Sequence, residues 1–600
     1  MKSINKFLLL SALACLFPLL SSAFANAQSP NIFYSDITSG PAVGGENSAG
    51  AYVTLYGNYF GSAPGSVTIG GVRATNYKLW GSSWLWYQKL TFQVPAGTPL
   101  GATSIKVTTA SGTSNTVPFT VRSGNIYCVS TSGSDGSSGN FPSCWKSITN
   151  AKSSMKAGDI AYIENGVTQS SIDNYNGSLA ITSGGTATNP IAMVAYPGAT
   201  ATIGTTSVPY GVRTPAVSGN MDYWVFAGLT LRGLAAMDLL GNAGWRVIGN
   251  DFSCPLGSGQ SACLHTDTNT NLFVYGNYVH NVGDQAGSID KYYHAVYFTT
   301  NSNHVWLGWN EVAPNPNHST TSGGCRAVQF YSTGGSDQFD LHVFNNRIHD
   351  AICDGINFST VNPNNGTVEA YNNVVYHVGT GPDPSNGSSN YSCVVAGSSG
   401  SPTVPVKVYN NTFYDCGGQK TSDSGALAPY TSMKADNNIV YQLSGESFVN
   451  SNESTSLVSG TRNVWYGVSG APSGTTGSLT SNPLLANPAG FAFGLQSGSP
   501  AIDVGINTAV TTDFLGVTRP QGAGYDVGAY ESYSGSVTKP TCDLNRDGVI
   551  NNQDVAVAVS QSLGETACTN ADLDQDTLCT VVDVQRVINA SMGLACRVGP

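Results

Sequence analysis

Three stretches in the middle of the chain share one pattern: His294-Ala-Val-Tyr-Phe298, Arg326-Ala-Val-Gln-Phe330 and Asp354-Gly-Ile-Asn-Phe358. Each is followed by a second β-like segment that ends in a turn containing asparagine. Weaker copies begin at Ala262, Ser392 and Ser424, and successive copies are offset by 32, 32, 28, 38 and 32 residues. A repeat of this length marks a unit that stacks on copies of itself. The sequence therefore predicts a solenoid of stacked β-coils in this region.

An asparagine recurs in the turn of each copy and gives an independent check on the repeat. The seven turn residues are Asn250, Asn277, Asn310, Asn346, Asn373, Asn411 and Asn438. Asparagine tolerates the left-handed backbone conformation and hydrogen-bonds within its own turn, and stacked amides form ladders in repeated β-structure. We expect an internal asparagine ladder that holds successive coils together.

Stacking of the copies in register creates two rows of surface side chains, because residues along a strand face inward and outward in alternation. The first row contains His265, Tyr297, Gln329, Asn357, Val395 and Leu427. The second, at the bend into each strand, contains Ala262, His294, Arg326, Asp354, Ser392 and Ser424. A solenoid needs no polar residues at these positions for stability, so the polar middle of both rows is the candidate functional site.

Two cysteines offer a test of this register. Cys325 and Cys353 immediately precede Arg326 and Asp354 in the repeat. Neighbouring coils are separated by about 4.8 Å, which lies within the Cα separation that a disulfide accepts. We therefore predict a disulfide between these two coils that fixes Arg326 above Asp354.

Composition and the N-terminal residues predict an exported protein. Of 600 residues, 70 are glycine and only 10% are charged, which is typical of β-rich extracellular proteins with several domains. Residues 1–27 have the pattern of a secretory signal: a positive start with Lys2 and Lys6, an apolar run over residues 7–20, and the small residues Ala25 and Ala27 at the end. No later apolar run reaches the ~20 residues of a membrane span. We expect a secreted, extracellular or cell-surface protein without membrane insertion.

Cysteine usage and net charge restrict the partners. Twelve cysteines remain after the signal, in the local groups 128/144, 254/263, 325/353 and 393/416 and a last group at 542, 568, 579 and 596. In an oxidising compartment these predict disulfides. The net charge of −11 argues against nucleic acid, which calls for a basic face. We expect a monomer.

Residues 28–122 alternate in short β-like segments between glycine, serine and asparagine turns, which predicts a β-sandwich. Val53-Thr-Leu-Tyr-Gly57, Val67-Thr-Ile-Gly-Gly71 and Phe119-Thr-Val121 resemble an IPT/TIG immunoglobulin-like domain. That resemblance implies a spacer or interaction module. Exposed tryptophans in it would stack on sugar rings, but we expect packing against the neighbouring domain for Trp80, Trp84 and Trp86.

Residues 123–531 resemble right-handed parallel β-helix proteins of the pectate-lyase-like superfamily. The resemblance begins at Gly133-Ser-Asp-Gly-Ser137 and extends through the coils to about residue 450. A short helix around Ser147 to Met155 is expected to cap the open end of the solenoid, where strand edges would otherwise be unpaired. A closing segment with structural acidic residues ends at Glu531, and residues 532–540 form a linker.

Residues 541–600 contain a duplicated acidic loop, each copy of which leads into a helical stretch. Oxygen ligands at positions 1, 3, 5, 7, 9 and 12 have the spacing of a calcium loop. The predicted ligands are Asp543, Asn545, Asp547, Val549, Asn551, Asp554, Asp572, Asp574, Asp576, Leu578, Thr580 and Asp583. The duplicated loop and helix resembles a type I dockerin, although Thr577 replaces the glycine of the second loop. The resemblance implies bound Ca²⁺ and a cohesin-type scaffold as a partner.

The β-helix resemblance implies a polysaccharide substrate in a groove along one sheet. In lyases of this kind a cation, which is calcium, arginine or lysine, neutralises a uronate carboxylate while a base removes the C5 proton. We predict that Arg326 neutralises the carboxylate and that His294 or Lys291 is the base, with Asp290 and Asp354 completing the catalytic set. The predicted substrate-binding residues are His265, Tyr297, Gln329 and Asn357. Calcium in the groove is a further expectation.

Two alternatives stay open at this point. A glycoside hydrolase on the same fold needs a pair of carboxylates, which would come from Asp290, Glu311, Asp350 and Asp354. A non-catalytic adhesin or glycan-binding protein agrees with the low charge and the apolar last coils. His280, His349 and His377 follow the asparagine turns, and we interpret them as structural or surface residues.

Overall fold

The computed structural model describes residues 28–215, 220–259, 261–332, 338–398, 400–532, 542–545, 549–566, 571, 573, 578–594 and 596–597. The predicted signal at 1–27 and the linker residues 533–540 lie outside the described residues. So do four predicted calcium ligands: Asp547, Asp572, Asp574 and Asp576.

The N-terminal part is a β-sandwich of two sheets, as predicted. One sheet contains Asn31–Ser35, Tyr52–Asn58, Tyr87–Gln93 and Tyr77–Trp84, and the other contains Ser39–Gly40, Val117–Val121, Gly101–Thr109, Ser66–Ile69, Val72–Arg73 and Gly112–Thr113. A 3₁₀ turn spans Glu46–Ser48. Alternation along Gly101–Thr109 buries Ile105 and Val107 and leaves Lys106 exposed. Its inward side chains form the interior between the two sheets.

The middle of the chain is the predicted parallel β-helix, in which each full coil contributes one strand to each of three parallel sheets. Sheet 1 contains Ile126–Val129, Ile160–Ile163, Ile191–Ala195, Trp224–Ala227, Arg246–Ile248, Thr270–Tyr275, Asn303–Gly308, Leu341–Phe344, Val368–Tyr371, Val406–Tyr409, Met433–Asp436, Val458–Thr461 and Gly474–Thr476. Sheet 2 contains Thr168–Gln169, Thr202–Ile203, Thr230–Arg232, Asp251–Cys254, Tyr278–Val282, Glu311–Ala313, Arg347–Ala351, Val374–Val378, Thr412–Cys416, Ile439–Tyr441 and Val464–Tyr466. Sheet 3 contains Gly177–Ala180, Tyr210–Arg213, Ala235–Leu240, Ser261–Asp267, Ile289–Thr299, Gly323–Tyr331, Ile356–Phe358, Tyr391–Ala396 and Ser424–Pro429.

Apolar stacks and an asparagine ladder fill the interior of the β-helix. Phe298, Phe330 and Phe358 stack on one another with ring centroids 4.7 and 5.2 Å apart. In the ladder, from Asn277 onward, each asparagine Oδ1 accepts the backbone N–H of the ladder asparagine one coil earlier, as Asn310 does from Asn277 at 2.8 Å. The ladder predicted for seven residues is confirmed and extends to an eighth, Asn463.

The left-handed backbone predicted for the ladder asparagines belongs instead to the residue before each one. Trp309 has φ 56° and Asn345 has φ 52°, whereas the ladder asparagines Asn310 and Asn346 are not among the residues with positive φ. The preceding residue turns the corner and directs the amide of the ladder asparagine inward. There the amide satisfies backbone groups of two coils, since Asn310 Nδ2 also donates to the carbonyl of Val274 at 2.9 Å.

Both ends of the β-helix are covered. Helix α1, Ile148–Ser154, caps the N-terminal end as predicted, with the Ser147 hydroxyl accepting from the Asn150 N–H at 3.2 Å. The closing segment contains the strand pair Leu485–Asn487 and Ala492–Leu495, after a short 3₁₀ turn at Thr455–Leu457, and a second 3₁₀ turn at Pro488–Gly490.

Acidic residues of the closing segment are structural, as predicted. Arg519 and Glu531 form a fully buried ion pair at 2.7 Å. One carboxylate oxygen of Asp513 accepts from the N–H groups of Leu515 at 2.9 Å and Val517 at 2.7 Å. Buried carboxylates that are paired or hydrogen-bonded in this way fix the turn that carries them.

The sandwich packs against the β-helix through its tryptophans, which confirms the expectation for two of the three. Trp84 Nε1 donates to the carbonyl of Gly276 at 2.8 Å, and Trp86 stacks on Phe514 with ring centroids 4.7 Å apart. Trp80 packs within the sandwich instead and donates to the carbonyl of Phe60 at 3.0 Å.

The sandwich and the closing segment bury one continuous apolar cluster against residues of sheets 1 and 2. No described residue of sheet 3 belongs to that cluster. The outer face of sheet 3 is therefore the face left for a ligand.

The C-terminal residues form two short helices, α2 at Asn552–Ser562 and α3 at Val581–Ser591, which enclose a small core of their own. Each begins with a capping box, formed by Asn551 with Asp554 and by Thr580 with Asp583. None of the helices in the described ranges has the length and hydropathy of a membrane span.

Candidate functional site on sheet 3

Strand pairing in sheet 3 produces a long row of aligned outward residues. In order along the β-helix axis, they are Arg213, Asp238, His265, Tyr297, Gln329, Asn357, Val395 and Ala428. We call these eight residues the sheet 3 row. Its first six members are polar and its last two are apolar, so the predicted loss of polarity toward the C-terminus is confirmed.

The predicted row is wrong at its last step. Leu427 aligns with Val394, not with Val395, and Ser424 aligns with Tyr391 and not with Ser392. Leu427 is 1% exposed and belongs to the interior cluster. A slip of one residue would turn this leucine outward, so its burial sets the register of the last coil.

The carboxylate of Asp238 forms a hydrogen bond with one ring nitrogen of His265. One Asp238 carboxylate oxygen lies 2.6 Å from His265 Nδ1, and the other lies 3.1 Å from Arg213 Nε. His265 Nε2 makes no hydrogen bond within the described part of the chain, and the side chain is 14% exposed. A carboxylate on one nitrogen fixes the tautomer and leaves the other nitrogen available for proton transfer.

Tyr297 lies next to His265 on the following coil. The two ring centroids are 5.4 Å apart, and the phenol is partly exposed. Burial raises the pKa of Tyr297 above its usual value, so the phenol stays protonated near neutral pH. A nitrogen base and a phenolic proton donor thus face the same surface.

Arg326 and Asp354 form a buried ion pair at 3.0 Å, as the predicted register requires. The guanidinium also donates to the Ser389 hydroxyl at 2.8 Å and to the carbonyl of Lys291 at 3.2 Å. All three guanidinium nitrogens therefore have protein partners. The Arg326 side chain is 11% exposed, which leaves it little surface for a substrate carboxylate.

Asp354 is fully buried, and the protein satisfies both of its carboxylate oxygens. Besides Arg326 it accepts from Asn357 Nδ2 at 2.8 Å and from the N–H of Ser392 at 3.2 Å. Burial raises its pKa to about 6, against the opposing effects of Arg326 and these hydrogen bonds.

His294 lies beside this ion pair and is only 4% exposed. Burial, and then the positive charge of Arg326, hold the pKa of His294 well below its usual value, so the imidazole is neutral. Its ring meets that of Tyr297 edge-on at 5.1 Å. The predicted neighbours His294, Arg326 and Asp354 are thus brought together, but beneath the surface.

Several buried polar atoms in this region make no hydrogen bond to the described residues. They are His294 Nδ1, Gln329 Oε1, Asn357 Oδ1 and Ser392 Oγ. Native proteins satisfy most buried polar groups, so a row of such atoms along four successive coils is characteristic of a site that takes polar ligands.

The segment 379–390 lies over the predicted catalytic residues. Asn386 accepts from the N–H of Lys291 at 3.0 Å and donates to Asp290 at 3.0 Å. Asp290 also accepts from the N–H of Gly259 at 2.6 Å and is occupied as a loop anchor. The Lys291 ammonium lies 5.9 Å from the ring centroid of the exposed Tyr292.

The carboxylates proposed for a hydrolase do not share one face. Glu311 and Asp350 lie in strands of sheet 2, whereas Asp290 and Asp354 lie in or beside sheet 3. On sheet 3, Asp354 is fully buried in its ion pair with Arg326, and Asp290 accepts hydrogen bonds from Gly259 and Asn386, so neither carboxylate is presented as an acid or base on the outer face.

The disulfides predicted for the four local cysteine pairs are formed, whereas Cys568 of the last group lies outside the described residues. The four local pairs are Cys128–Cys144, Cys254–Cys263, Cys325–Cys353 and Cys393–Cys416, and Cys542–Cys596 adds a fifth. The Cα atoms of Cys325 and Cys353 are 4.9 Å apart. This bond confirms the register that places Arg326 above Asp354.

The described part of the C-terminal loops suits the predicted calcium sites. Asp554 and Asp583, which are predicted as the last ligands of the two loops, are fully buried. One oxygen of each accepts from a loop N–H, that of Asn545 at 3.0 Å and that of Leu573 at 2.7 Å. An acidic oxygen-donor set folded around a helix start has the chemistry that Ca²⁺ prefers.

Two polar members of the row, Arg213 and Asp238, were not predicted from the sequence. They lie in coils that lack the repeated apolar pattern, at Tyr210–Arg213 and Ala235–Leu240. The alternation of inward and outward residues along the strand could have identified Asp238. It stands between Met237 and Leu239, whose side chains both face the interior. A charged residue between two inward apolar residues of a strand is an outward residue.

Comparisons with known proteins give a likeness of fold only. No protein family matches the chain, and no curated relative does. Among solved structures, the pectate lyase Pel9A is 14% identical with a TM-score of 0.47, covering 68% of this chain and 96% of that one. An alginate lyase from Paenibacillus sp. str. FPU-7 is 13% identical with a TM-score of 0.33, covering 50% and 92%. A lacto-N-biosidase from Eubacterium ramulus is 11% identical with a TM-score of 0.31, covering 60% and 67%.

Proposed function

We propose that this protein is a secreted polysaccharide lyase that cleaves an acidic glycan by β-elimination on the outer face of sheet 3. The observation that carries the proposal is the alignment of Asp238, His265 and Tyr297 on three successive coils. A glycan chain that follows the β-helix axis meets one side chain of the sheet 3 row for about every 4.8 Å of its length. The six polar members of the row support binding of a chain of several sugars.

His265 is the base in this proposal. Its Nε2 takes the proton from C5 of a uronate residue, and Asp238 at Nδ1 stabilises the imidazolium that forms. The predicted base His294 is less suitable because its side chain is buried and its Nδ1 is enclosed by protein. We assign to His294 and Arg326 a structural role beneath the sheet 3 row, in place of the catalytic roles predicted from the sequence.

The electrons of the C5–H bond form the C4–C5 double bond, and the bond from C4 to the glycosidic oxygen breaks. Tyr297 protonates that oxygen, since its raised pKa keeps the phenol protonated until the leaving group becomes basic. The reaction needs no water and no redox partner. Its products are a new reducing end and an unsaturated uronate.

The developing negative charge on the uronate needs a cation. Arg213 at one end of the row and Lys291 at its edge supply positive charge. Among the described residues, no group of three histidine, cysteine or carboxylate ligands lies on this face. We therefore derive no step through calcium in the groove.

We also propose that the C-terminal loops bind Ca²⁺ and that this part attaches the enzyme to a cohesin-type scaffold. Support comes from the ligand spacing and from the buried acidic residues at the last position of both loops. The IPT/TIG-like sandwich is then a spacer that packs on the β-helix. Removal of Ca²⁺ with a chelator should unfold α2 and α3 and leave the disulfide-bonded β-helix folded, which circular dichroism and limited proteolysis can follow.

The test of the proposed activity is digestion of a panel of pectins, alginates and glycosaminoglycans by the full chain. Ultraviolet absorbance detects unsaturated products, and a reducing-sugar assay counts all cleavages. The lyase proposal expects both signals in equal number on at least one acidic glycan. Reducing ends without unsaturation would establish a hydrolase, and binding without either signal would establish a glycan-binding protein; both results would overturn the proposal.

A further inference from the structure

A second polar cluster lies away from the sheet 3 row, at the turn that leads from sheet 2 into sheet 3. Its members are His318, Asp350 and His377. One ligand atom from each, two imidazole nitrogens and a carboxylate oxygen, lie within 4.8 Å of one another. The three residues belong to three successive coils, through the strands Glu311–Ala313, Arg347–Ala351 and Val374–Val378.

Direct hydrogen bonds do not explain the convergence. His318 Nε2 lies 3.7 Å and His377 Nε2 lies 4.0 Å from Asp350 Oδ1, and both distances exceed the range of a hydrogen bond. Asp350 Oδ1 is buried and has no hydrogen-bond partner among the described residues. The two imidazole rings are nearly perpendicular, at 87°, with centroids 4.9 Å apart.

The other polar atoms of two ligands are held by neighbouring residues. Asp415 Oδ2 lies 2.9 Å from His377 Nδ1, which favours the tautomer whose Nε2 lone pair points into the cluster. His349 Nδ1 lies 2.8 Å from Asp350 Oδ2 and leaves Oδ1 for the cluster. Carboxylate–histidine pairs of this kind orient the ligands of metal sites.

The loop between Ala313 and Gly323 brings His318 to the other two residues. Two hydrogen bonds join the Asn315 side chain to the backbone of Ser319. Asn315 Nδ2 donates to the Ser319 carbonyl at 2.9 Å, and Asn315 Oδ1 accepts from the Ser319 N–H at 3.0 Å. The His318 N–H donates to the Asn315 carbonyl at 2.9 Å, and the residue adopts φ 50°. The side chain is 57% exposed, so the open side of the cluster faces solvent.

We infer that His318, Asp350 and His377 form a binding site for a divalent transition-metal ion of the zinc type. Two imidazoles and one carboxylate suit zinc and its neighbours, whereas calcium and magnesium prefer oxygen ligands alone. Metal–ligand bonds of about 2.0–2.2 Å in a tetrahedral site place ligand atoms about 3.3–3.5 Å apart. The exposed His318 and the partly exposed His377 have the freedom to close to that distance.

Such an ion would join three coils, two of which the Cys325–Cys353 disulfide already joins. Its remaining coordination position faces solvent, beside the exposed His318. A second group of possible ligands among the described residues consists of Cys128, Cys144 and Glu164. It is not a metal site, because its two sulfurs are bonded to each other in a disulfide. The inference stands independently of the proposed lyase activity.

The experiment uses the full chain with its C-terminal loops saturated by Ca²⁺. Co²⁺ is titrated while its visible ligand-field absorption is recorded, and Zn²⁺ is then measured by calorimetry and by displacement of Co²⁺. We expect one equivalent of tightly bound metal and an absorption band of intensity typical of four or five ligands including nitrogen. Binding should also raise the thermal midpoint, since the ion binds only the folded chain.

Variants separate this site from adventitious binding. His318→Ala and His377→Gln should abolish the band, and the outer Asp415→Asn should weaken affinity by about 10–100-fold. The matched control is His304→Ala, a histidine of similar exposure that pairs with Asp340 alone and should keep full binding. Circular dichroism of His318→Ala, whose side chain is on a surface loop, confirms that it is folded. Equal affinity of His318→Ala and the unaltered chain, or loss of binding in His304→Ala, would overturn the inference.

Discussion

Two clusters on neighbouring stretches of sheet 3 contain the same types of residue in different surroundings. We call Arg213, Asp238, His265 and Tyr297 the outer cluster, and His294, Arg326 and Asp354 the inner cluster. Each pairs an arginine with an aspartate and places a histidine beside them. In the outer cluster, His265 Nε2 has no hydrogen-bond partner among the residues that the structure describes, and the side chain is 14% exposed. In the inner cluster, His294 is 4% exposed and Asp354 is fully buried.

The difference shows that residue type and alignment alone do not identify a catalytic site. The inner cluster is covered by the segment 379–390, from which Ser389 and Asn386 bind Arg326 and the strand at Lys291. The outer cluster has no such cover from that segment. We therefore assign chemistry to the outer cluster and stability to the inner one, and the following variants test this division.

Replacement of the proposed acid should have the largest effect. Tyr297→Phe removes the proton donor, and we expect kcat to fall by about 10²–10⁴-fold with an unchanged thermal midpoint. Initial rates of unsaturated-product formation measure it. The control is Tyr331→Phe, two positions farther along the next strand and 37% exposed, which should stay within a few-fold of the unaltered enzyme. Similar losses in both variants would remove Tyr297 from the mechanism.

Breaking the buried ion pair should affect stability and not chemistry. Arg326→Met leaves Asp354 buried without its cation, and we expect destabilisation by about 3–5 kcal/mol in urea unfolding followed by circular dichroism. Adding Asp354→Leu should recover most of this loss. Lys434→Met, which removes an exposed ammonium that pairs with Asp436, should cost no more than about 1 kcal/mol. A stable but inactive Arg326→Met variant would return catalysis to the inner cluster.

The disulfide beneath the inner cluster offers a smaller test. The disulfide joins two cysteines that are 28 residues apart in sequence. The double variant Cys325→Ser with Cys353→Ser should therefore lower the free energy of unfolding by about 3–4 kcal/mol. The double variant Cys254→Ser with Cys263→Ser removes a disulfide between cysteines only 9 residues apart and should lower the free energy of unfolding by about 2–3 kcal/mol. Thermal unfolding compares the two. Activity at 25 °C should survive in the first variant if the outer cluster does the chemistry.

The smallest expected effect is a pH dependence from Asp354. Its pKa is raised from the usual acidic range to about 6 in the folded protein. Protonation therefore favours folding: this contribution is fully present below about pH 4 and is lost as the pH rises through 6. Relative to the double variant Arg326→Met with Asp354→Leu, the unaltered protein should lose about 1–2 kcal/mol between pH 5 and 7.5. A constant difference would show that Asp354 is ionised throughout.

Much of the fold follows from local patterns in the sequence. The repeat around Phe298 and Phe330 predicted stacked coils, and the asparagine turns and Cys325 with Cys353 predicted their register. These features depend on neighbouring coils alone, so sequence spacing is sufficient. The last coil departs from the pattern because the burial of Leu427 shifts it by one residue.

The candidate site depends on features that spacing does not contain. The segment 379–390 binds Arg326 and the strand at Lys291, and its path over that strand cannot be read from the repeat. The outer cluster needs Asp238, which lies in a coil without the repeated motif. His377 was interpreted as structural, but its convergence with Asp350 and His318 depends on the length of an inserted loop and on left-handed turns at all three residues.

The most direct test compares His265→Gln with His294→Gln on the acidic glycan that the digestion panel identifies. Both variants keep a planar amide near the place of the imidazole, and circular dichroism checks that each is folded. We predict that unsaturated-product formation falls by about 10²–10⁴-fold in His265→Gln and by less than about tenfold in His294→Gln. Full activity in His265→Gln together with loss in His294→Gln would contradict the assignment of catalysis to the outer cluster.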